Sequence, residues 1–192
     1  RTGTKRGLAQ RIDDLTTVTS ALELTGPVVT VAQDWGGPIS IGWAGRNRDN
    51  LAGVVLMNTA VHHPPRTPAP TLIRLARSAP VLDTLAARTN GFINGTLRLA
   101  RPSLSTAVKK AYRAPYIGKG RRQAVADFVA DIPLQKNHPS RPALDDVVAA
   151  VDAMSNVPVL LLWGAKDPVF SDQYLHDFQN RWPDAEVLRY PL

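Results

Sequence analysis

The chain has 192 residues, 44% hydrophobic and 20% charged, values that suit one soluble globular domain with a core of its own. No apolar run approaches the roughly 18 residues of a membrane span, no apolar leader follows the Arg-Thr-Gly-Thr-Lys start, and zero cysteines exclude disulfides and thiolate metal sites. The formal charge of +7 raises nucleic acid as a partner, but the densest basic stretch (Lys109, Lys110, Arg113, Lys119, Arg121, Arg122) carries Val108, Ala111, Val125 and Phe128 at helical spacing and no aromatic-interleaved motif, so it reads as the solvated faces of two helices.

Leu8, Ile12, Leu15 and Leu22 recur at helical spacing over residues 7–24, with Gly26 as the expected stop. A strand follows at 28–33. Pro38 stands in the first turn of a helix that carries Ile39, Ile41 and Trp43 and ends near Asn47. Residues 51–59 are apolar throughout, as central parallel strands are, so strand, helix and strand make one βαβ unit. From Ala60 to Ser140 the pattern changes: a Pro-rich connector leads into helix-period segments at 71–78, 81–88, 91–99, 103–113 and 120–130, without a strand among them. A wholly helical insertion in an α/β chain reads as a lid or cap. Pro142 opens a helix to Met154, residues 157–164 form a third strand, Ser171 or Asp172 caps a helix to Arg181, and 186–190 is a fourth strand. The expected division is core with a catalytic turn over 1–59, helical cap over 60–140, and core again over 141–192.

One carboxylate interrupts the first βαβ unit. Ala32-Gln33-Asp34-Trp35-Gly36 has the form small, any, nucleophile, any, small, the pattern of a nucleophile elbow, in which a sharp strand-to-helix turn presents the central side chain above the sheet. Most such elbows carry Ser. A carboxylate in that place needs no base to become a nucleophile and can attack saturated carbon to form an ester, and a helix beginning at Gly36 or Gly37 favours its charge. The other reading of Asp34 is a helix N-cap. By itself Asp167, after the third strand, reads as a turn residue before Pro168, and Trp35 as a core aromatic.

The segment VAQDWGGPISIGWA resembles the elbow of the haloalkane dehalogenase branch of the α/β-hydrolase fold. The fold class implied is α/β, the C-terminal part of an α/β-hydrolase with a parallel sheet and an inserted helical cap. By this resemblance Asp34 is the nucleophile, the Trp35 indole N–H donates to the departing group, and the Trp35 backbone N–H is half of an oxyanion hole. LLLWGAKDPVFSD resembles the segment carrying the triad acid, which points to Asp167; Asn58 stands where some dehalogenases place that acid instead. AYRAPY, with Tyr112 and Tyr116, resembles a cap segment widespread in the branch. RRQAVADFVADIPLQKNHPS is similar to the β-lactone decarboxylases of long-chain olefin biosynthesis. Trp35, Asn58, Tyr112 and Tyr116 are thereby expected to meet substrate or leaving group.

The activity implied is conversion of a long-chain cis-3,4-dialkyl β-lactone to a cis alkene and carbon dioxide, without cofactor or metal. The partners implied are a hydrophobic small molecule and a fused or associated β-lactone synthetase, with no nucleic acid, in the cytoplasm and with membrane association open to an enzyme on waxy substrates. Haloalkane dehalogenase is the nearest alternative, and epoxide hydrolase, with Tyr112 or Tyr116 activating the epoxide oxygen, a more distant one. A non-catalytic α/β-hydrolase-like binding module is the alternative of another class. The family fold has eight strands with its catalytic His after the last; four are read here, so the His is expected outside these residues and the piece is expected to be inactive and poorly soluble by itself. His62, His63, His138 and His176 do not match that position, and His62 with His63 reads as loop rather than metal pair.

Overall fold

In the computed structural model, which describes residues 5–62, 70–76, 78, 82–100 and 102–191, the β-branched run after Pro27 extends as β1 (Val28–Gln33). After a tight turn the chain enters helix α2 (Gly36–Arg46) and returns as β2 (Leu51–Met57), two residues shorter than expected because Asn58 takes a positive φ of 28° and leaves the strand. Helix α1 (Leu8–Ala21) precedes this unit. Further along come α7 (Arg141–Ala153), β3 (Val159–Gly164), α8 (Asp172–Arg181) and β4 (Glu186–Tyr190). Between β2 and α7 lie α3 (Thr71–Ala76), a π-helical segment (Leu82–Arg88), α4 (Gly91–Leu99), α5 (Thr106–Arg113), a 3-10 turn (Ala114–Tyr116) and α6 (Lys119–Ala130). The described residues fall into two compact units, one from 6–68 with 133–191 and the other from 69–132.

In the first unit the four strands lie in the order β1-β2-β3-β4 and every neighbouring pair is parallel. Parallel strands laid down in sequence order by right-handed crossovers put their connecting helices on one face of the sheet. That face is the core. Val54 and Leu56 of β2 and Leu161 and Trp163 of β3 are buried there, against Leu8 and Ile12 of α1, Ile41 and Ala44 of α2, Val147 and Val151 of α7, and Leu175 and Phe178 of α8. Helix α2 approaches α1 so closely that a Cβ on Gly42 would stand 2.4 Å from Ile12 Cδ1. The opposite face is apolar too, since strand residues alternate, yet Val29 and Val31 of β1 are 53% and 65% exposed and Leu188 and Tyr190 of β4 43% and 49%.

The helix ends of this unit differ in part from the expectation. Gly26 does not stop α1: the helix ends at Ala21, and Glu23 takes the left-handed conformation (φ 50°) that closes it, with Glu23 N–H donating to Ser20 O and Leu24 N–H to Thr19 O. Leu22, the last residue of the expected helical spacing, is therefore beyond the helix and 65% exposed. Ser171 is the N-cap residue of α8, as one of the two candidates, but its side chain makes no cap bond; the Asp172 carboxylate instead accepts from Arg189 Nη2 at 2.7 Å and ties α8 to β4.

Among its described residues the second unit has helices and turns and no strand. Ser105 starts α5, its Oγ accepting from Val108 N–H at 3.3 Å. The expected apolar faces shift by a residue: α5 buries no side chain, with Val108 40% exposed, and α6 buries Ala126 and Val129 while Val125 and Phe128 are half-buried. Not all of the basic stretch is solvated face either. Arg122 donates to the carbonyls of Ala87, Arg88 and Tyr116, and Arg113 Nε donates to Asn94 Oδ1 at 2.7 Å. Among the described residues, no helix is long and apolar enough to cross a membrane.

Candidate active site

Asp34 occupies the turn between β1 and α2 with φ at 50°, a conformation that non-glycine residues adopt at a cost of roughly 1–3 kcal/mol. The surroundings hold it there. Asp34 N–H donates to Asn58 O at 3.2 Å, and Asp34 O accepts from Gly37 N–H at 3.0 Å and from the Thr59 hydroxyl at 2.6 Å. Thr59 is fully buried. A Cβ on Gly37 would stand 2.0 Å from Thr59 Oγ1, whereas one on Gly36 would make an ordinary 3.6 Å contact with Ala32 Cβ. Ala32 and Gly36, the two small residues of the pattern, thus approach each other across the turn, and Gly37 in addition leaves no room for a side chain beside Thr59.

The N-cap position of α2 is Trp35, without a side-chain cap bond, so Asp34 is not an N-cap. Its carboxyl lies above the sheet end, and burial pushes its pKa up; a hydrogen bond from the Trp35 backbone N–H opposes that shift, and the nearby charge of Asp167 adds to it. The N–H at the helix start favours the charged carboxylate as expected, but desolvation outweighs it and the net shift is upward.

Asp167 comes to the same end of the sheet, after β3. Its Oδ1 accepts from Val169 N–H at 2.7 Å and Phe170 N–H at 2.9 Å, closing the turn, while Oδ2 makes no bond to the described residues. Asn58, after β2, has its amide committed to backbone: Oδ1 accepts from Gly164 N–H at 2.8 Å, and Nδ2 donates to Gly164 O at 3.0 Å and Phe170 O at 3.4 Å. With both ends taken, Asn58 clamps three strand ends together, and its side chain offers no free donor to a leaving group. Trp35 is half-buried, with the Arg11 guanidinium 5.8 Å over its ring. Tyr112, 58% exposed in α5, and Tyr116, half-buried in the 3-10 turn, belong to the other unit.

The histidines lie elsewhere. His62 Nδ1 stands 3.6 Å from Asp177 Oδ1, beyond hydrogen-bond reach; His138 Nδ1 accepts from Ser140 N–H; His176 is exposed on α8; and His63 lies outside the described residues. Among the described residues, no group of three or more His, Cys, Asp or Glu is placed to hold a metal.

Sequence reasoning missed Thr59, Gly37 and Arg11. Gly37 had a signal in the Gly-Gly pair; Thr59 and Arg11 act across the chain and had none.

A family model described as alpha/beta hydrolase fold matches residues 12–192. The chain belongs to the α/β-hydrolase family. This α/β-hydrolase chain is 31% identical over 183 residues to a cis-3-alkyl-4-alkyloxetan-2-one decarboxylase of Shewanella oneidensis, the match covering 94% of the chain and 58% of that protein. It is 29% identical over 191 residues to a haloalkane dehalogenase of Mycolicibacterium smegmatis, covering 93% and 59% respectively. A solved haloalkane dehalogenase from Agrobacterium tumefaciens shares the fold with a TM-score of 0.81 at 20% identity, over 97% of this chain and 65% of that one. The chain spans about three fifths of the length of these curated relatives.

Proposed function

We propose that Asp34 is the nucleophile of an α/β-hydrolase that decarboxylates long-chain cis-3,4-dialkyl β-lactones to cis alkenes. The observation that carries this is the Asp34 backbone, held in a left-handed turn above the sheet by Thr59, Asn58 and Gly37. In this reading a carboxylate oxygen of Asp34 attacks the ring carbon bearing the ring oxygen. The carbon–oxygen bond breaks and the oxygen leaves as a carboxylate, stabilised by the Trp35 indole N–H. The new carboxylate then loses carbon dioxide, its bonding electrons form the alkene, and Asp34 departs as the leaving group. Inversion at the attacked carbon followed by anti elimination keeps the two alkyl groups cis. No water and no cofactor enter the balance.

The similarity to cis-3-alkyl-4-alkyloxetan-2-one decarboxylase supports this choice of substrate. Asp167 orients the active-site base of the family in the same reading, and a β-lactone synthetase, fused or associated, supplies the strained ring. The test is turnover of a synthetic cis β-lactone by the full-length protein, with alkene measured by gas chromatography. Alkene is expected from the wild type and none from Asp34→Ala; an active Asp34→Ala protein overturns the nucleophile. Halide release from haloalkanes without lactone turnover would move the function to the dehalogenases, to which the chain is also similar; there, water must hydrolyse the ester that Asp34 forms.

A further inference from the structure

Two non-glycine residues at neighbouring strand ends share positive φ, Asp34 at 50° and Asn58 at 28°. They are bonded to each other: Asp34 N–H donates to Asn58 O at 3.2 Å, and the next residue, Thr59, donates its hydroxyl to Asp34 O. The bend at Asn58 also ends the pairing of β2 with β3, whose last partners are Met57 and Leu162. Beyond that point the Asn58 side chain holds the two strands together. Its Oδ1 accepts from Gly164 N–H at 2.8 Å and its Nδ2 donates to Gly164 O at 3.0 Å, so one amide engages both backbone groups of one residue. Such a contact needs an acceptor and a donor in the same planar group, which neither a carboxylate nor an apolar side chain supplies. The fit is close, since a Cβ on Gly164 would stand 3.3 Å from Asn58 Oδ1.

Gly164 and Phe170 frame the turn that carries Asp167. Asp167 N–H donates to Gly164 O at 3.2 Å, and Asp167 Oδ1 accepts from Phe170 N–H at 2.9 Å. Asn58 Nδ2 reaches the far side of the same turn, donating to Phe170 O at 3.4 Å. Asn58 therefore holds the Asp34 turn with its backbone carbonyl and the Asp167 turn with its side chain.

We propose that Asn58 is a positioning residue that fixes the Asp34 turn against the Asp167 turn. The inference rests on the reading of Asp34 as nucleophile and of Asp167 as the acid that orients the family's base. In that reaction the two carboxylates must be placed together, and a displacement of about 1 Å is worth roughly a hundredfold in rate. The clamp opposes movement of one turn past the other. Both ends of the amide are spent on Gly164 and Phe170, so its removal acts on the rate and not on substrate affinity.

The test is amide hydrogen exchange of the full-length protein without substrate, read by NMR, beside steady-state turnover of the synthetic cis β-lactone. Asn58→Gly keeps the positive φ and the carbonyl that accepts from Asp34 N–H, and it removes the amide. Asn58→Asp keeps the shape and the bond from Gly164 N–H, and it replaces the donor by an oxygen. An effect common to both belongs to the clamp. Exchange at Asp34 N–H, which the amide itself does not touch, is expected to rise at least tenfold together with exchange at Phe170 N–H, while Val54 to Met57 keep their protection. In both variants kcat is expected to fall at least tenfold with KM within twofold of the wild type, a split that general loosening of the fold would not give. Thermal melts show whether each variant is folded, and Asn58→Ser replaces one that is not. Exchange at Asp34 that stays at the wild-type level, or rises in Asn58→Gly alone, overturns the proposal, and so does raised exchange with unchanged kcat. A wild type that turns over no lactone overturns the substrate reading alone, because exchange decides the coupling of the two turns without it.

Discussion

Asp34 is where the chain gives up stability. Burial holds its carboxyl above the ordinary value of 3.8, so the folded state takes up a proton at higher pH than the unfolded chain does. Stability therefore falls as pH rises from that ordinary value through the raised folded one, and the loss is complete above it. Asn has no charge to desolvate and tolerates left-handed backbone well. Asp34→Asn is accordingly expected to abolish turnover while raising Tm at pH 7 by a few degrees, on the order of what about 1 kcal/mol produces in a chain of this size. Melts across pH check the cause: the gap to wild type should close below about pH 4, and a gap that persists there would point away from the carboxyl. The neighbouring glycines give a sharper steric test. Gly37→Ala drives a methyl into Thr59 and is expected to cost about 3 kcal/mol, while Gly36→Ala should change stability by less than about 1 kcal/mol, as denaturant melts would measure. The elbow could be read from the sequence because its five residues are contiguous and its chemistry is local. Thr59 and Arg11 could not, because a hydroxyl on a carbonyl and a cation on a ring are set by which elements the fold brings together.

At the scale of elements, periodicity placed the helices and β-branched runs the strands, and the errors concentrate where a terminus is decided by backbone conformation. The end of α1 is the clearest case. Gly26 looked like the stop, yet the hydrogen bonds that close the helix belong to Glu23, a residue for which the left-handed region costs roughly 1–2 kcal/mol. Glu23→Gly is expected to stabilise the protein by about 1 kcal/mol, read as a higher denaturant midpoint with unchanged slope; Gly26→Ala, at a position with open space around it, should do little. The segment at 82–88 was legible as helical but not as π-helical, since one extra residue per turn leaves no signature in so short an apolar pattern. Asn58 shows the same limit for a side chain. Its position after β2 suggested contact with substrate, and the amide is instead spent on Gly164 and Phe170, the strand and turn beside it.

For the molecule as a whole, the consequence that matters is the sheet face away from α1, α2, α7 and α8. Alternation puts Val29 and Val31 of β1 on it together with Val55 and Met57, Leu160 and Leu162, and Leu188 and Tyr190. Among the described residues the first and last of these strands are edges, and their residues on that face are among the most exposed large apolar side chains. An apolar patch of this kind beside an unpaired strand edge is a surface for association. The 192-residue chain produced alone is expected to self-associate at micromolar concentration, with dye-binding that reports exposed apolar surface. The face itself can be tested by charge. Val29→Lys with Val31→Lys places two cations on exposed positions of edge strand β1, away from the core face, and should shift the chain toward monomer in sedimentation velocity without lowering Tm by more than about 2 °C. The net charge of +7 does not protect this region as it stands, because β1 carries no charged residue from Val28 to Gln33. If the lysine pair leaves the sedimentation profile unchanged, the association surface lies elsewhere; a monomeric wild-type chain with a cooperative melt would mean that this face tolerates water without a partner.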